Sequence, residues 1–74
     1  MKDTTQLIRL VINGNARQFD VSAMTVAELV EQLDLAGKRL AIECNGEIVT
    51  RSAFAQTALH DGDKLEIVGA VGGG

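Results

Sequence analysis

The sequence is notable first for what it lacks. Its 74 residues include no proline, tryptophan or tyrosine, and only two phenylalanines and one cysteine. A core with so few aromatic side chains has to be built from valine, leucine, isoleucine and alanine. A single cysteine excludes an internal disulfide. With a single histidine in addition, the sequence is too poor in ligands for a Cys/His metal cluster. Packing alone must therefore hold a single small domain together.

Positive charge is also scarce, since seven basic residues face ten acidic ones and the net charge is −3. This balance repels phosphate backbones and argues against nucleic acid as a partner. The longest early apolar run, at residues 7–12, is interrupted by Arg9 and is too short for a signal peptide or a membrane span. The expected setting is soluble, reducing and cytoplasmic, with no membrane partner.

The N-terminal part has the pattern of a β-hairpin followed by a helix. Residues 6–12 are rich in β-branched side chains and end in Asn13-Gly14, a turn dipeptide, and residues 16–21 alternate. One face of this second strand would hold Arg17, Phe19 and Val21.

The next segment changes to the period of a helix. Thr25 precedes the pattern and Glu28 follows three residues later, which predicts a capping box at the N-terminus. Gly37 is the expected end of the helix. The apolar positions, spaced i, i+3, i+4 and i+7, are Val26, Leu29, Val30 and Leu33.

The remaining residues return to short extended segments. A strand is predicted at residues 40–45, with Leu40, Ile42 and Cys44 sharing a face. The other predictions, in chain order, are an Asn45-Gly46 turn, a short strand at 47–50, a helical turn at 52–55 capped by Ser52, an Asp61-Gly62-Asp63 turn, and a last strand at 64–68.

A single amphipathic helix needs a sheet face to cover its apolar stripe. We therefore predict an α+β fold of the β-grasp, ubiquitin-like type. It has a mixed sheet of four to five strands, with one main helix packed across one face. The terminal strands are expected to be central, parallel neighbours. Residues 1–69 form the domain, and residues 70–74 form a flexible, reactive tail.

The side chains contain no convincing active site, so the chain is not expected to be an enzyme. Cys44 lies on an apolar strand face, which favours an inert, buried thiol over a reactive one. His60 stands alone in a turn, which favours a solvated residue over a catalytic base. Asp61 and Asp63 flank a glycine without further spaced ligands, which favours a turn over a cation site.

The terminal carboxylate of Gly74 is the remaining reactive group. Gly72, Gly73 and Gly74 lack Cβ atoms and make a narrow peptide, and residues 69–74 can extend roughly 20 Å from the domain. The tail could thus enter the active site of a partner enzyme, which would supply the ATP site needed to activate the carboxylate. On composition alone, a frayed end is an equal alternative.

Nearly the whole sequence resembles the thiamine-biosynthesis sulfur carrier (ThiS) family. The resemblance rests on the segments LVINGNARQF, TVAELVEQLDL, IECNGEIVTRS and LHDGDKLEIVGAVGGG. It implies a protein cosubstrate whose Gly74 is adenylated by an E1-like adenylating enzyme using ATP with magnesium. The carboxylate then becomes a thiocarboxylate with sulfur from a sulfur-donating enzyme, and the sulfur passes to thiazole synthase. No cofactor or metal is implied for the chain itself.

Alternatives to this function remain open within and beyond the class. They are the small subunit of molybdopterin synthase or another sulfur carrier, a ubiquitin-like modifier, and a non-catalytic interaction module. For docking, the strand pattern suggests an apolar patch near the tail on the sheet face away from the helix. Its residues would be Leu7, Val11 and Val68, with Val71 in the tail.

Overall fold

The computed structural model describes residues 7–69, which form seven strands, one α-helix and one 3-10 helix. In chain order, the elements are β1 (Ile8–Ile12), β2 (Asn15–Phe19), β3 (Met24–Thr25), α1 (Val26–Gln32), β4 (Leu40–Cys44), β5 (Glu47–Val49), the 3-10 helix (Arg51–Gln56), β6 (Ala58–Leu59) and β7 (Lys64–Gly69).

The main sheet has five strands in the order β2-β1-β7-β4-β5. The two outer pairs are antiparallel hairpins, and β7 lies between them, parallel to β1 and antiparallel to β4. Among neighbouring strands of this sheet, β1 and β7 form the parallel pair, because the chain crosses over through α1 between the two hairpins. The predicted mixed sheet, with the terminal strands as central parallel neighbours, is confirmed.

The core lies between α1 and one face of this sheet. Alternate residues of β1 and β7 point toward the helix, as the strand period of two requires. Side chains that are almost completely buried come from both layers, so the helix stripe is covered as predicted. They are Leu10, Val26, Leu29, Ile42 and Leu65.

The start of α1 matches the prediction and its end does not. The Glu28 N–H donates to Thr25 Oγ1 at 3.2 Å and the Thr25 N–H donates to Glu28 Oε1 at 2.9 Å, which completes the capping box. The helix ends before Gly37, because Asp34 adopts the left-handed conformation with φ of 63°. Hydrogen bonds from Asp34 to Glu31 and from Leu35 to Val30 then close a Schellman motif.

Gly37 belongs instead to the following turn, where the Lys38 N–H donates to the Leu35 carbonyl at 3.1 Å. The φ of Gly37 is 85°, which explains the glycine at this place. The prediction assigned the end of the helix to the nearest glycine, although an aspartate can also adopt this conformation.

Two further predictions are wrong in detail, and one small sheet was not predicted. The second strand ends at Phe19, because the Val21 N–H donates back to the Phe19 carbonyl and turns the chain. Ser52 is not a cap, since the 3-10 helix begins at Arg51 and no side chain caps it. The two-stranded sheet of β3 and β6 was not predicted, since two residues per strand are too few to show a pattern.

Candidate functional site

β7 is the strand that precedes the C-terminal tail, where the sequence predicts the reactive carboxylate. β4 pairs with β7 from Leu65 through Gly69. β1 pairs with it only at Lys64 and Leu65, because the β1–β2 hairpin turns back soon afterwards. The last residues of β7 are therefore paired in register with one neighbouring strand.

Beyond the point where β1 stops pairing with β7, the side chain of Asn13 takes the place of a neighbouring strand. Its Oδ1 accepts the Ile67 N–H at 2.8 Å, and its Nδ2 donates to the Ile67 carbonyl at 2.9 Å. One side-chain amide thus pairs with both backbone groups of Ile67, as a residue of a neighbouring strand would. Asn13 is also the first residue of the Asn-Gly turn, where its φ is 52°.

The residues predicted to react and to thread lie beyond this point, outside the described residues. They are Gly72, Gly73 and Gly74, and Val71, which was predicted to bind a partner, also lies outside the described residues. The five residues after Gly69 can place the terminal carboxylate at most roughly 18 Å from the end of β7. A Cβ atom added at Gly69 would meet no atom within 4 Å, so the sheet does not require glycine there.

The predicted docking residues share one sheet face but do not form one patch. Leu7 and Val68 are exposed by 41% and 54%, and Val11 is half-buried. Val11 is level with Lys64 in the parallel pair, so Val68 lies four residues further along, roughly 13 Å away. Leu7 is four residues from Val11 in the opposite direction. Of the three, only Val68 lies beside the start of the tail.

An exposed isoleucine on the same face was not predicted from the sequence. Ile48 of β5 is 76% exposed and lies opposite Glu43 of β4. Together with Val68 it borders a groove of about 350 Å³. The two-residue Asn45-Gly46 turn fixes this register, so the position of Ile48 could have been derived from the sequence. The lining residues are Ala41, Ile42, Glu43, Ile48, Glu66 and Val68.

The side chains at the start of β7 are engaged in structural contacts. Asp63 accepts hydrogen bonds from the His60 N–H at 2.8 Å and from Asn45 Nδ2 at 3.0 Å. Cys44 is half-buried rather than fully buried, with Sγ 3.9 Å from Asp63 Oδ2. Burial, followed by the Asp63 charge, raises the pKa of the Cys44 thiol, so it stays protonated at neutral pH. The His60 side chain is 78% exposed, in agreement with a solvated turn residue.

Asp61 fixes the same turn to β1. Its Oδ1 accepts the Arg9 N–H at 2.8 Å and lies 3.5 Å from Arg9 Nε. The backbone hydrogen bond, followed by the guanidinium charge, lowers the pKa of Asp61. Residues 7–69 contain no group of three or more side chains placed to bind a metal ion. Within the same range, no helix has the length and apolar character needed to cross a membrane.

A β-grasp sheet whose central strand leads into three terminal glycines is the architecture of a ubiquitin-like carrier domain. A model described as the ThiS family matches residues 10–74, which includes the whole glycine tail. The chain belongs to the ThiS family of sulfur carriers.

Similar proteins support this assignment. The sulfur carrier protein ThiS of Escherichia coli strain K12 is 34% identical over 67 residues, covering 90% of this chain and all of that protein. A crystal structure of the thiamine biosynthesis protein ThiS from Geobacter metallireducens superposes with a TM-score of 0.79 at 35% identity. It covers 90% of this chain and 100% of that one.

A third relative is longer. The thiazole synthase of Paramagnetospirillum magneticum is 51% identical over 67 residues, which are 90% of this chain but only 20% of that protein. A sequence of this type therefore occurs within the polypeptide of a thiazole synthase.

Proposed function

We propose that this chain carries sulfur as a thiocarboxylate on Gly74 and delivers it to thiazole formation in thiamine biosynthesis. The observation that carries the proposal is the family match, which covers β7 and continues through Gly74, five residues after the end of that strand. The Escherichia coli relative is a sulfur carrier protein, and the chemistry on this chain would be performed by partner enzymes.

The first step would activate the terminal carboxylate. An oxygen of Gly74 attacks the α-phosphorus of ATP in an E1-like adenylating enzyme, which also binds the magnesium ion. Pyrophosphate leaves and an acyl-adenylate forms. This step is needed because a carboxylate is a poor electrophile, whereas the mixed anhydride has a good leaving group.

The second step would exchange oxygen for sulfur. A sulfide equivalent from a sulfur-donating enzyme attacks the carbonyl carbon, a C–S bond forms, and AMP leaves with the electrons of the C–O bond. Thiazole synthase would then accept the sulfur. Its presence in one polypeptide with a sequence of this type supports it as the partner. The proposal places these steps in the cytoplasm.

Intact mass spectrometry tests this proposal. The purified chain is incubated with the host's adenylating enzyme, ATP, magnesium and a sulfur source. We expect a mass gain equal to the difference between sulfur and oxygen, located in the C-terminal peptide. Transfer of the chain to larger proteins would indicate a modifier instead, and an unchanged mass would indicate an inert interaction module.

A matched pair of substitutions tests the role of the narrow tail. Gly69→Ala introduces a methyl group where the structure leaves space, so sulfur loading should proceed normally. Gly73→Ala adds the same group beside the reactive carbonyl, where a misplacement of about 1 Å can reduce the rate on the order of a hundredfold. Equal loading of the two variants would contradict threading of the tail into an active site.

A further inference from the structure

Two acidic side chains face each other on the sheet surface away from the helix. Glu43 of β4 and Glu66 of β7 are direct partners in the antiparallel register, and both are exposed. The ion pairs among residues 7–69 involve neither of them. Like charges directly opposite each other destabilise a sheet, so the fold gains nothing from this pair.

Apolar side chains border the acidic pair on both sides. Ile48 lies opposite Glu43 on the outer strand, and Val68 lies two residues beyond Glu66 on β7, opposite Ala41. Ile48 and Val68 are exposed by 76% and 54% and border the groove of about 350 Å³. An exposed apolar rim around unpaired carboxylates is typical of a surface that becomes covered.

We propose that this groove docks the adenylating enzyme, which inserts an arginine or lysine side chain between Glu43 and Glu66 and packs apolar residues against Ile48 and Val68. The inference rests on the proposed function. Val68 precedes Gly69, so an enzyme that takes the tail into its active site must lie close to this groove.

Charge complementarity identifies the occupant. An adenylating site binds the phosphates of ATP and a carboxylate, which are both anions, so its opening needs positive charge. A guanidinium group between two carboxylates would form charge-assisted hydrogen bonds and would remove their mutual repulsion. The acidic pair would therefore weaken the isolated carrier and strengthen the complex.

The double variant Glu43→Gln with Glu66→Gln tests whether the acidic pair weakens the isolated carrier and strengthens the complex. It keeps the shape of both side chains and removes both charges. Its affinity for the purified adenylating enzyme is measured by calorimetry without ATP, and its melting temperature is measured by circular dichroism. We expect Kd to rise by about tenfold or more, with a weaker dependence on salt, while the melting temperature increases.

A control variant changes the net charge by the same amount elsewhere. Asp20→Asn with Glu31→Gln alters an exposed loop residue and an exposed residue of α1, away from the groove. Its Kd should stay within about twofold of the original chain. For the apolar rim, Ile48→Ser should weaken binding, whereas Leu7→Ser, which lies at the far end of the sheet, should not.

The outcomes separate the docking inference from the function itself. If the unaltered chain gains no sulfur in the mass experiment, the proposed function is wrong. If it gains sulfur while the double Gln variant binds the adenylating enzyme as tightly as the original, only the docking inference is wrong. A loss of affinity confined to thiazole synthase would also overturn it, since the occupant would then be the other enzyme.

Discussion

The two ends of β7 are held in different ways. At its start, the preceding turn is fixed by the Asp61 and Asp63 carboxylates, and the Gly62 N–H donates to the Arg9 carbonyl at 2.7 Å. At its end, the strand pairs with β4 on one side, and Asn13 holds Ile67 on the other. Asp61, Asp63 and Asn45 hold the start of the strand, whereas Asn13 holds the open flank of its end.

The two Asn-Gly turns show this contrast most directly. Asn13 and Asn45 have nearly the same φ, 52° and 53°, and both reach β7. Asn13 binds the N–H and the carbonyl of Ile67 at a half-buried position. Asn45 binds the Lys64 N–H and the Asp63 carboxylate at an exposed one. The same turn thus supports a strand at one end and a polar surface network at the other.

This difference indicates where the fold can tolerate a partner. The turn before β7 and the first residue of the strand already take part in several hydrogen bonds within the chain. The end of β7 keeps one register neighbour, one side-chain contact and an exposed valine, so a bound enzyme can approach it without displacing a network. Stability at the base of the tail should then depend on few residues.

The largest effect is expected from Asn13→Gly, which keeps the left-handed turn and removes the side-chain amide. Both backbone groups of Ile67 lose their partner at a half-buried site, so the free energy of unfolding should fall by about 2 kcal/mol. Urea denaturation measures this loss. Sulfur loading, assayed well below the melting temperature, should also slow. Unchanged loading would show that the Asn13 contact with Ile67 is not needed for sulfur loading.

A smaller effect is expected from Asn45→Gly, the equivalent substitution in the other turn. The Lys64 N–H is exposed and can bind water instead, so the loss should be about 0.5 kcal/mol. The same denaturation experiment gives the comparison with Asn13→Gly, and sulfur loading should be normal. An equal loss for the two variants would mean that the two ends of β7 are held alike.

The next effect depends on pH and concerns Asp61→Asn. Because the folded state lowers the pKa of Asp61 below its ordinary value of 3.8, its stabilising contribution is present above that value. The contribution is lost as the pH falls through the lower pKa of the folded protein. The variant should therefore be less stable than the original at neutral pH and equally stable at strongly acidic pH.

Denaturation curves across this pH range test the prediction, with Asp20→Asn as the control for a lost surface charge. A difference between the Asp61→Asn variant and the original chain that persisted at the most acidic pH would show that the hydrogen bond does not depend on the ionised carboxylate.

The smallest effect concerns Cys44, beside the start of β7. Its raised thiol pKa should make alkylation by iodoacetamide at about pH 8 slower than for a free thiol such as glutathione. Unfolding in urea should restore the ordinary rate. Cys44→Ala should load sulfur normally, and a defect in loading would assign the thiol a part in the transfer.

Local patterns predicted those elements whose cause lies in neighbouring residues. The capping box at Thr25 and both Asn-Gly turns follow from side chains that bind adjacent backbone. The end of α1 at Asp34 could not be separated from Gly37, since both residue types adopt the left-handed conformation. The bonds from Asn13 to Ile67 join positions 54 residues apart, so no local pattern contains them.

The candidate site also has features that local patterns predict and features that depend on how distant strands pair. The sequence alone identified the glycine tail and the exposed position of Val68, because strand alternation assigns faces. It grouped Val68 with Leu7 and Val11, because alternation gives the face but not the distance along neighbouring strands. The opposition of Glu43 and Glu66 likewise required the pairing of β4 with β7.

The parallel alignment of β1 and β7 has a practical consequence for handling the molecule. The polypeptide begins the sheet at one pole and leaves it at the other. A purification tag, fluorophore or solid support attached ahead of Leu7 would meet the sheet at the pole opposite the end of β7. Immobilised in that orientation, the protein should present the end of β7 to enzymes added from solution.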